Sequence, residues 1–147
     1  MKKHVYYASE MEELKEEMIQ MLSNVSRQII SFDAVDVDMT VKGAANALCL
    51  EGRGEGADRL RQSIDAAVAQ AEAVAPMFDV FSASRVMVYF CSSEQHLFLM
   101  SELDALFAFK QKFGPDAAFM WGIGTAACTG EDSCEVRMLL VDLQEKK

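Results

Sequence analysis

Arg85-Val86-Met87-Val88-Tyr89-Phe90-Cys91 runs from a single arginine into six consecutive apolar residues. A strand that faces water on one side alternates polar and apolar residues. An unbroken run of β-branched and aromatic side chains reads instead as a strand covered on both faces. Upstream of it, Leu60, Ile64, Ala67, Val68 and Ala71 mark a helix starting near Asp58, with Pro76 just beyond its end. Before that helix, Ala44-Ala45-Asn46-Ala47-Leu48-Cys49-Leu50 is a short strand, which the spacing expects Gly52-Arg53-Gly54-Glu55-Gly56 to terminate. Downstream, Leu99, Leu103, Leu106, Phe107 and Phe113 give a second amphipathic helix, stopped by Gly114-Pro115. Ala118 to Ile123 and Cys134 to Leu143 are the last two strands. Thr129-Gly130-Glu131-Asp132-Ser133 between them has the composition of a hairpin turn. The order β-α-β-α-β-β implies two crossovers, each returning its strand parallel to its predecessor, followed by a hairpin. The expected fold is α/β: a mixed four-stranded sheet with helices packed on it.

Toward the N-terminus, Met11, Leu14, Met18, Met21, Leu22, Val25 and Ile29 recur at steps of three and four, predicting one amphipathic helix from Ser9 to Ile29. Ser9 with Glu12 has the form of a capping box for it. Glu10, Glu13, Glu16 and Glu17 lie on its solvated side. The chain therefore divides into an N-terminal amphipathic helix over 1–30, an acidic loop and short helix over 31–43, and an α/β unit over 44–147.

With 147 residues, 51% of them apolar, about two-thirds of the unfolded surface can be buried, enough for one self-sufficient core. Two prolines and eight glycines exclude collagen-like or low-complexity character. The 23 acidic residues exceed the 14 basic ones for a net charge of −9, so the field of the whole chain opposes a grip on nucleic acid or anionic lipid. No apolar segment has the length of a membrane span or a signal peptide, which sets the expectation of a cytoplasmic protein without membrane partners. Cys49, Cys91, Cys128 and Cys134 are dispersed, with no Cys-x-x-Cys pair, and are read as buried thiols rather than metal ligands. No metal or cofactor is expected.

Three constellations invite chemistry. The glycine run at 52–56 resembles a phosphate cradle in composition, but Glu51, Glu55 and Asp58 crowd it with negative charge and no G-x-G-x-x-G or P-loop spacing is present; a strand-to-helix turn is the better reading. His96 stands near Cys91, yet a thiol in so apolar a strand stays protonated and inert. The third is the acidic stretch, where Asp33 and Asp36, with Asp38 close by, lie in a segment bounded by the apolar anchors Ile30, Phe32, Val35 and Val37. Carboxylates held in such a frame orient a water or bind a divalent cation; the same spacing also describes a solvated turn.

Ile30-Ser31-Phe32-Asp33-Ala34-Val35-Asp36-Val37 resembles the I-N-x-D-F-A-D-V synergy loop of FtsZ, the tubulin-like bacterial cell-division GTPase. The similarity continues through Ala47-Leu48, Gly52, Gly56 and Asp58-Arg59, where the family reads A-L-M-G-x-G and then G-E-N/D-R-A. Val86-Met87-Val88-Tyr89-Phe90 followed by Leu97-Phe98-Leu99-Met100-Ser101-Glu102-Leu103 is similar to V-L-V-N-I-T-G-G-x-x-L-x-L-x-E-V. Met120-Trp121-Gly122 resembles I-x-F-G, and Glu135-Val136-Arg137-Met138 resembles the last strand, E-I-R-V-T-V. The sparse match runs over residues 16 to 143 and implies the end of the family's central helix, the synergy loop and the C-terminal domain. Ser31 replaces the loop asparagine, Ala34-Val35 replaces Phe-Ala, and Ser92-Ser93 replaces Gly-Gly. The G-G-G-T-G-[ST]-G phosphate loop is absent from these residues, which implies that they do not hold GTP by themselves.

In the family, the resemblance implies, this loop enters the nucleotide pocket of the next subunit, where its two aspartates polarise the attacking water. Those roles fall on Asp33 and Asp36, with Ser31 in the asparagine's place and Asp38 beside them as part of one partner-docking loop. The expectation is a non-enzymatic module that docks on a full-length FtsZ-like GTPase and regulates filament assembly in cell division, contributing at most half of a GTPase site. An alternative is a small homo-oligomeric ligand-binding protein or enzyme unrelated to division, with His96, Arg85, Glu94 and Arg137 as candidate groups. A third reading makes the N-terminal helix an adhesive for another partner.

Overall fold

The computed structural model describes residues 3–23, 25, 27–30, 32–126 and 131–147. Its strands and helices, in chain order, are β1 (Val5–Tyr7), α1 (Met11–Ser23), β2 (Arg27–Ile30), α2 (Ala34–Val41), β3 (Asn46–Glu55) and α3 (Arg59–Val74), then β4 (Phe78–Asp79), β5 (Arg85–Ser92), α4 (Asp104–Lys110), β6 (Ala118–Thr125), β7 (Ser133–Val141) and β8 (Gln144–Glu145). Single 3₁₀ turns cover Ala8–Glu10, Val80–Ser82 and Met100–Leu103. β4 and β8 form a small separate ribbon.

The other six strands make one mixed sheet in the order β1-β3-β7-β5-β6-β2. The four anticipated strands are its centre, and β1 and β2 extend it at opposite edges. β5 and β6 pair in parallel along their full length, from Arg85↔Ala118 to Ser92↔Thr125, as the crossover through α4 requires. β3 runs the same way as β5, because both pair antiparallel with β7 between them.

That placement of β7 corrects the expected β6–β7 hairpin. Turn composition before Ser133 reports a reversal of the chain, not the edge the returning strand takes. Val136, Met138 and Leu140 face one side of β7, and Leu139 and Val141 the other, and all five are buried. A strand apolar on both faces buries both only in the middle of the sheet, so β7 slots between β3 and β5.

Helices cover both faces. On one side α3 and α4 pack Leu60, Ile64, Ala67, Leu106 and Phe109 onto Leu48, Leu50, Val86, Val88, Phe90, Val136, Met138 and Leu140. On the other, Met11, Leu14, Met18 and Leu22 of α1 join Val37 and Val41 of α2 over Ala47, Met87, Tyr89, Leu139 and Val141. The N-terminal helix is shorter than its apolar spacing suggested. It ends at Ser23, and Gln28 and Ile30 in β2 pair antiparallel with Gly124 and Ile123 of β6. A three-four spacing does not mark its own end, and consecutive β-branched Ile29-Ile30 suit the open edge of β6 better than a helix face. The expected Ser9–Glu12 capping box gives way to a 3₁₀ turn in which Glu10 Oε1 accepts the Tyr7 N–H at 3.0 Å.

The glycine run does not end its strand. β3 continues through Gly52-Arg53-Gly54-Glu55, because α3 lies directly on its back. A Cβ at Gly52 would stand 2.1 Å from Ser63 O, and one at Gly54 would stand 2.0 Å from Arg59 O. Those glycines let helix and strand backbones touch. The end of α3 is further fixed by Arg59, which is 1% exposed. Its Nε and Nη2 donate to Glu102 Oε1 and Oε2 at 2.7 and 3.1 Å, its Nη1 donates to His96 O at 3.0 Å, and its guanidinium lies 4.6 Å from the centre of the Phe98 ring. One buried cation therefore holds the segment linking β5 to α4.

Candidate functional site

The acidic stretch is the start of a helix. Asp33 is the N-cap of α2: its Oδ1 accepts the Asp36 N–H at 3.0 Å, and Asp36 Oδ2 accepts the Asp33 N–H at 2.9 Å. This reciprocal pair satisfies two of the backbone donors that a helix start leaves open. Each carboxylate thereby uses one oxygen, and among the described residues the second oxygen of each has no partner. Asp33 is exposed and Asp36 half-buried. Phe32, just before the cap, is buried against Tyr89 with ring centres 5.8 Å apart, and the Gln28 side chain accepts its N–H at 3.0 Å. At the other end of α2, Arg85 donates to Lys42 O at 2.7 Å and to Asp142 Oδ2 at 2.6 Å, where a cation suits the partial negative charge of a helix C-terminus.

The four expected docking residues do not form one cluster. Asp38 accepts from Lys15 Nζ on α1 at 2.9 Å, and this hydrogen bond and charge hold its carboxyl below the usual aspartate range. Ser31 lies outside the described residues. Of the four supposed apolar anchors, Phe32 and Val37 are buried, whereas Ile30 and Val35 are exposed, Val35 at 62%. Met39, one turn after Val35, is 65% exposed. Val35 and Met39 at i and i+4 thus place an uncovered apolar stripe beside the two half-used carboxylates.

Among the alternative candidates, Arg85 braces α2, and His96 Nδ1 pairs with Asp132 Oδ1 at 2.8 Å. Glu94 is exposed. Arg137 faces a cavity, a groove of ≈ 640 Å³ bounded by α1 and the sheet and lined also by Glu17, Glu51, Arg53, Tyr89 and Glu135. The groove is not legible residue by residue, because Gly52-Arg53-Gly54-Glu55-Gly56 has the composition of a strand terminator. As a strand, its period of two puts the charges on one face and the glycines on the other. Burial pushes the Tyr89 hydroxyl well above its ordinary value. Cys49 and Cys91 are half-buried on this face, Cys128 lies outside the described residues, and Cys134 is buried beside Ser63 with its thiol pushed up to about 12 by that burial. Among the described residues no group of His, Cys, Asp and Glu is placed to hold a metal ion, and no helix is long and apolar enough to cross a membrane.

This arrangement, a β3-β7-β5-β6 mixed sheet centre with α3 and α4 on one face and a capped α2 after an N-terminal helix, has the fold of the C-terminal domain of FtsZ and tubulin-like proteins. A structure of an FtsZ mutant from M. jannaschii superposes with a TM-score of 0.67 at 15% identity, over 90% of this chain and 40% of that one. An FtsZ dimer from the same organism gives 0.64 at 15% identity, over 79% and 32%. A GTPγS-form TubZ protofilament of Bacillus thuringiensis serovar israelensis gives 0.63 at 9% identity, over 88% and 32%. The chain therefore spans less than half the length of these structures. No protein-family model and no curated protein sequence matches it.

Proposed function

We propose that this chain is a non-enzymatic tubulin-like interaction module that docks the N-terminal end of α2 on a full-length FtsZ-like GTPase and regulates its filament assembly. The observation that carries the reading is the capped start of α2, where Asp33 and Asp36 each keep a carboxylate oxygen with no partner among the described residues, next to exposed Val35 and Met39. A cap that also presents free oxygens is rigid before a partner arrives, so little ordering cost is incurred on docking. Proteins with this fold have been solved as a dimer and as a protofilament, which supports a role in end-to-end assembly. The 147 residues contain no glycine-rich phosphate loop, so a polypeptide of this sequence would occupy one face of a filament subunit without offering a nucleotide face to the next. The result expected of adding it to a polymerising FtsZ-like GTPase is reduced polymer mass and slower GTP turnover, saturating near one module per filament end. Unchanged polymer mass and turnover at stoichiometric excess would remove the proposal.

A further inference from the structure

The outermost strands of the sheet are short, three residues in β1 and four in β2, so each leaves part of the strand behind it uncovered. The chain treats the two uncovered stretches differently. β1 pairs with residues 46–48 of β3, and His4 O accepts the Cys49 N–H at 2.8 Å. Farther along β3, side chains of α3 stand in for a strand: Gln70 Oε1 accepts the Glu51 N–H at 2.8 Å, and Gln62 Oε1 accepts the Glu55 N–H at 3.2 Å. Amides occupied in this way do not template another chain. At the opposite edge, β2 pairs with residues 123–125 of β6, and Phe32, two residues past β2, has left that lane to pack on Tyr89. The Ala118 N–H donates to Ser84 O, so in β6 the even-numbered residues turn their amides and carbonyls toward β5 and the odd-numbered ones turn theirs outward. Ile123 and Thr125 direct theirs to β2. Phe119 and Trp121 each present an N–H and a C=O to the open edge, and among the described residues nothing bonds to these four groups.

We propose that residues 118–122 of β6 take a strand from another protein, an extended segment of about five residues with an apolar centre and basic ends, which continues the lane of β2. Two outward amide–carbonyl pairs separated by one residue match an extended backbone. The stretch holds no charged residue and no proline, the usual guards of an edge. Apolar side chains flank it on both faces. On one, the Trp121 ring centre lies 6.1 Å from that of exposed Phe107 on α4; on the other, Thr40 Oγ1 of α2 lies 3.7 Å from Met120 Sδ, with exposed Met39 beside Thr40. Alternate side chains of the added strand fall against these two faces. Carboxylates at both ends set its charge: exposed Asp116 lies two residues before Ala118, and Asp33, three residues after Ile30, shares the β2 end with Asp36. The net charge of −9 disfavours a second copy of this chain as the occupant. No GTPase enters this inference, so it is tested apart from the docking of α2.

The test is amide hydrogen exchange, followed by NMR on the full chain, with capped seven-residue peptides in which valine and isoleucine alternate with threonine. The peptides end in lysines or in glutamates, and each is run beside a form N-methylated at every interior amide. The lysine-ended peptide slows exchange of the Phe119 and Trp121 amides about tenfold or more and leaves those of Glu51 and Glu55 unchanged. The glutamate-ended peptide binds about fivefold more weakly, and the N-methylated forms do not bind. Phe107→Lys and Met39→Lys, both at exposed helix positions, leave the melting temperature within about 2 °C and weaken the lysine-ended peptide about fivefold or more. Exchange at Phe119 and Trp121 unmoved by every peptide, equal binding of the N-methylated or glutamate-ended forms, or affinity indifferent to both substitutions would overturn the proposal. So would slowing of the same two amides with protein concentration alone, which would make a second copy the occupant.

Discussion

The two faces of the sheet are made by the same strands, yet along β7 burial is continuous on one and interrupted on the other. Under α3 and α4 the inward residues of β7 are buried from Cys134 through Val136 and Met138 to Leu140. Under α1 and α2, Leu139 and Val141 are buried, and the next two positions on that face are the half-exposed Arg137 and Glu135. α3 is 16 residues long and lies against glycine; α1 is 13 residues long and leaves a groove where the charges begin. The difference separates two uses of one fold: the α3–α4 face holds the molecule together, and the α1–α2 face, with the capped start of α2, keeps polar groups only partly engaged.

The largest effect expected on the covered side comes from Glu102→Ala. It strands Arg59, a guanidinium 1% exposed, and should lower unfolding free energy by about 3 to 5 kcal/mol in urea melts. The same carboxylate predicts a pH signature. Burial raises the pKa of Glu102, but the hydrogen bonds from Arg59 and from the Leu99 amide outweigh burial and hold it below the usual glutamate range. A lowered folded value means that the pair stabilises fully above the unfolded pKa and that this contribution is lost as pH falls through the folded value. Stability should therefore decline in the unaltered protein below about pH 4.3. Glu102→Ala should remove that part of the decline.

Next comes Gly54→Ala, which drives a methyl into the Arg59 carbonyl and should cost about 3 kcal/mol, whereas Arg53→Ala, one residue away on the open face, should stay within about 0.5 kcal/mol. Equal costs for the two would erase the contrast between faces. Asp33→Ala, which loses the cap of α2, should cost about 1 kcal/mol in the same melts.

How much of this was legible beforehand follows from which signals are local. α3 was readable because Leu60, Ile64, Ala67 and Ala71 hold one face without interruption, and Pro76 marks its end. β5 was readable because a strand buried on both sides has nothing polar to alternate. The place of β7 was not, since strand order depends on which edges are free once the other elements have packed. β2 was missed because Val25 and Ile29 continue a helical spacing past the point where β6 offers an edge. At the start of α2, Asp33-x-x-Asp36 has the spacing of a reciprocal cap, but the same spacing suits carboxylates held for chemistry, and only the backbone bonds tell that each gives one oxygen to the cap. Tyr89 gives no polar signal at all, as its ring belongs to an apolar strand and only the fold leaves its hydroxyl without a partner among the described residues.

The claim that α2 docks through its carboxylates, rather than merely being capped by them, is tested most directly by the double substitution Asp33→Asn and Asp36→Asn, assayed at once for melting temperature and for its effect on GTP turnover by an assembling FtsZ-like GTPase. Asparagine caps a helix about as well as aspartate but brings no charge. The account predicts an unchanged melting temperature together with loss of the effect on turnover; a variant that keeps both its stability and its effect would contradict it.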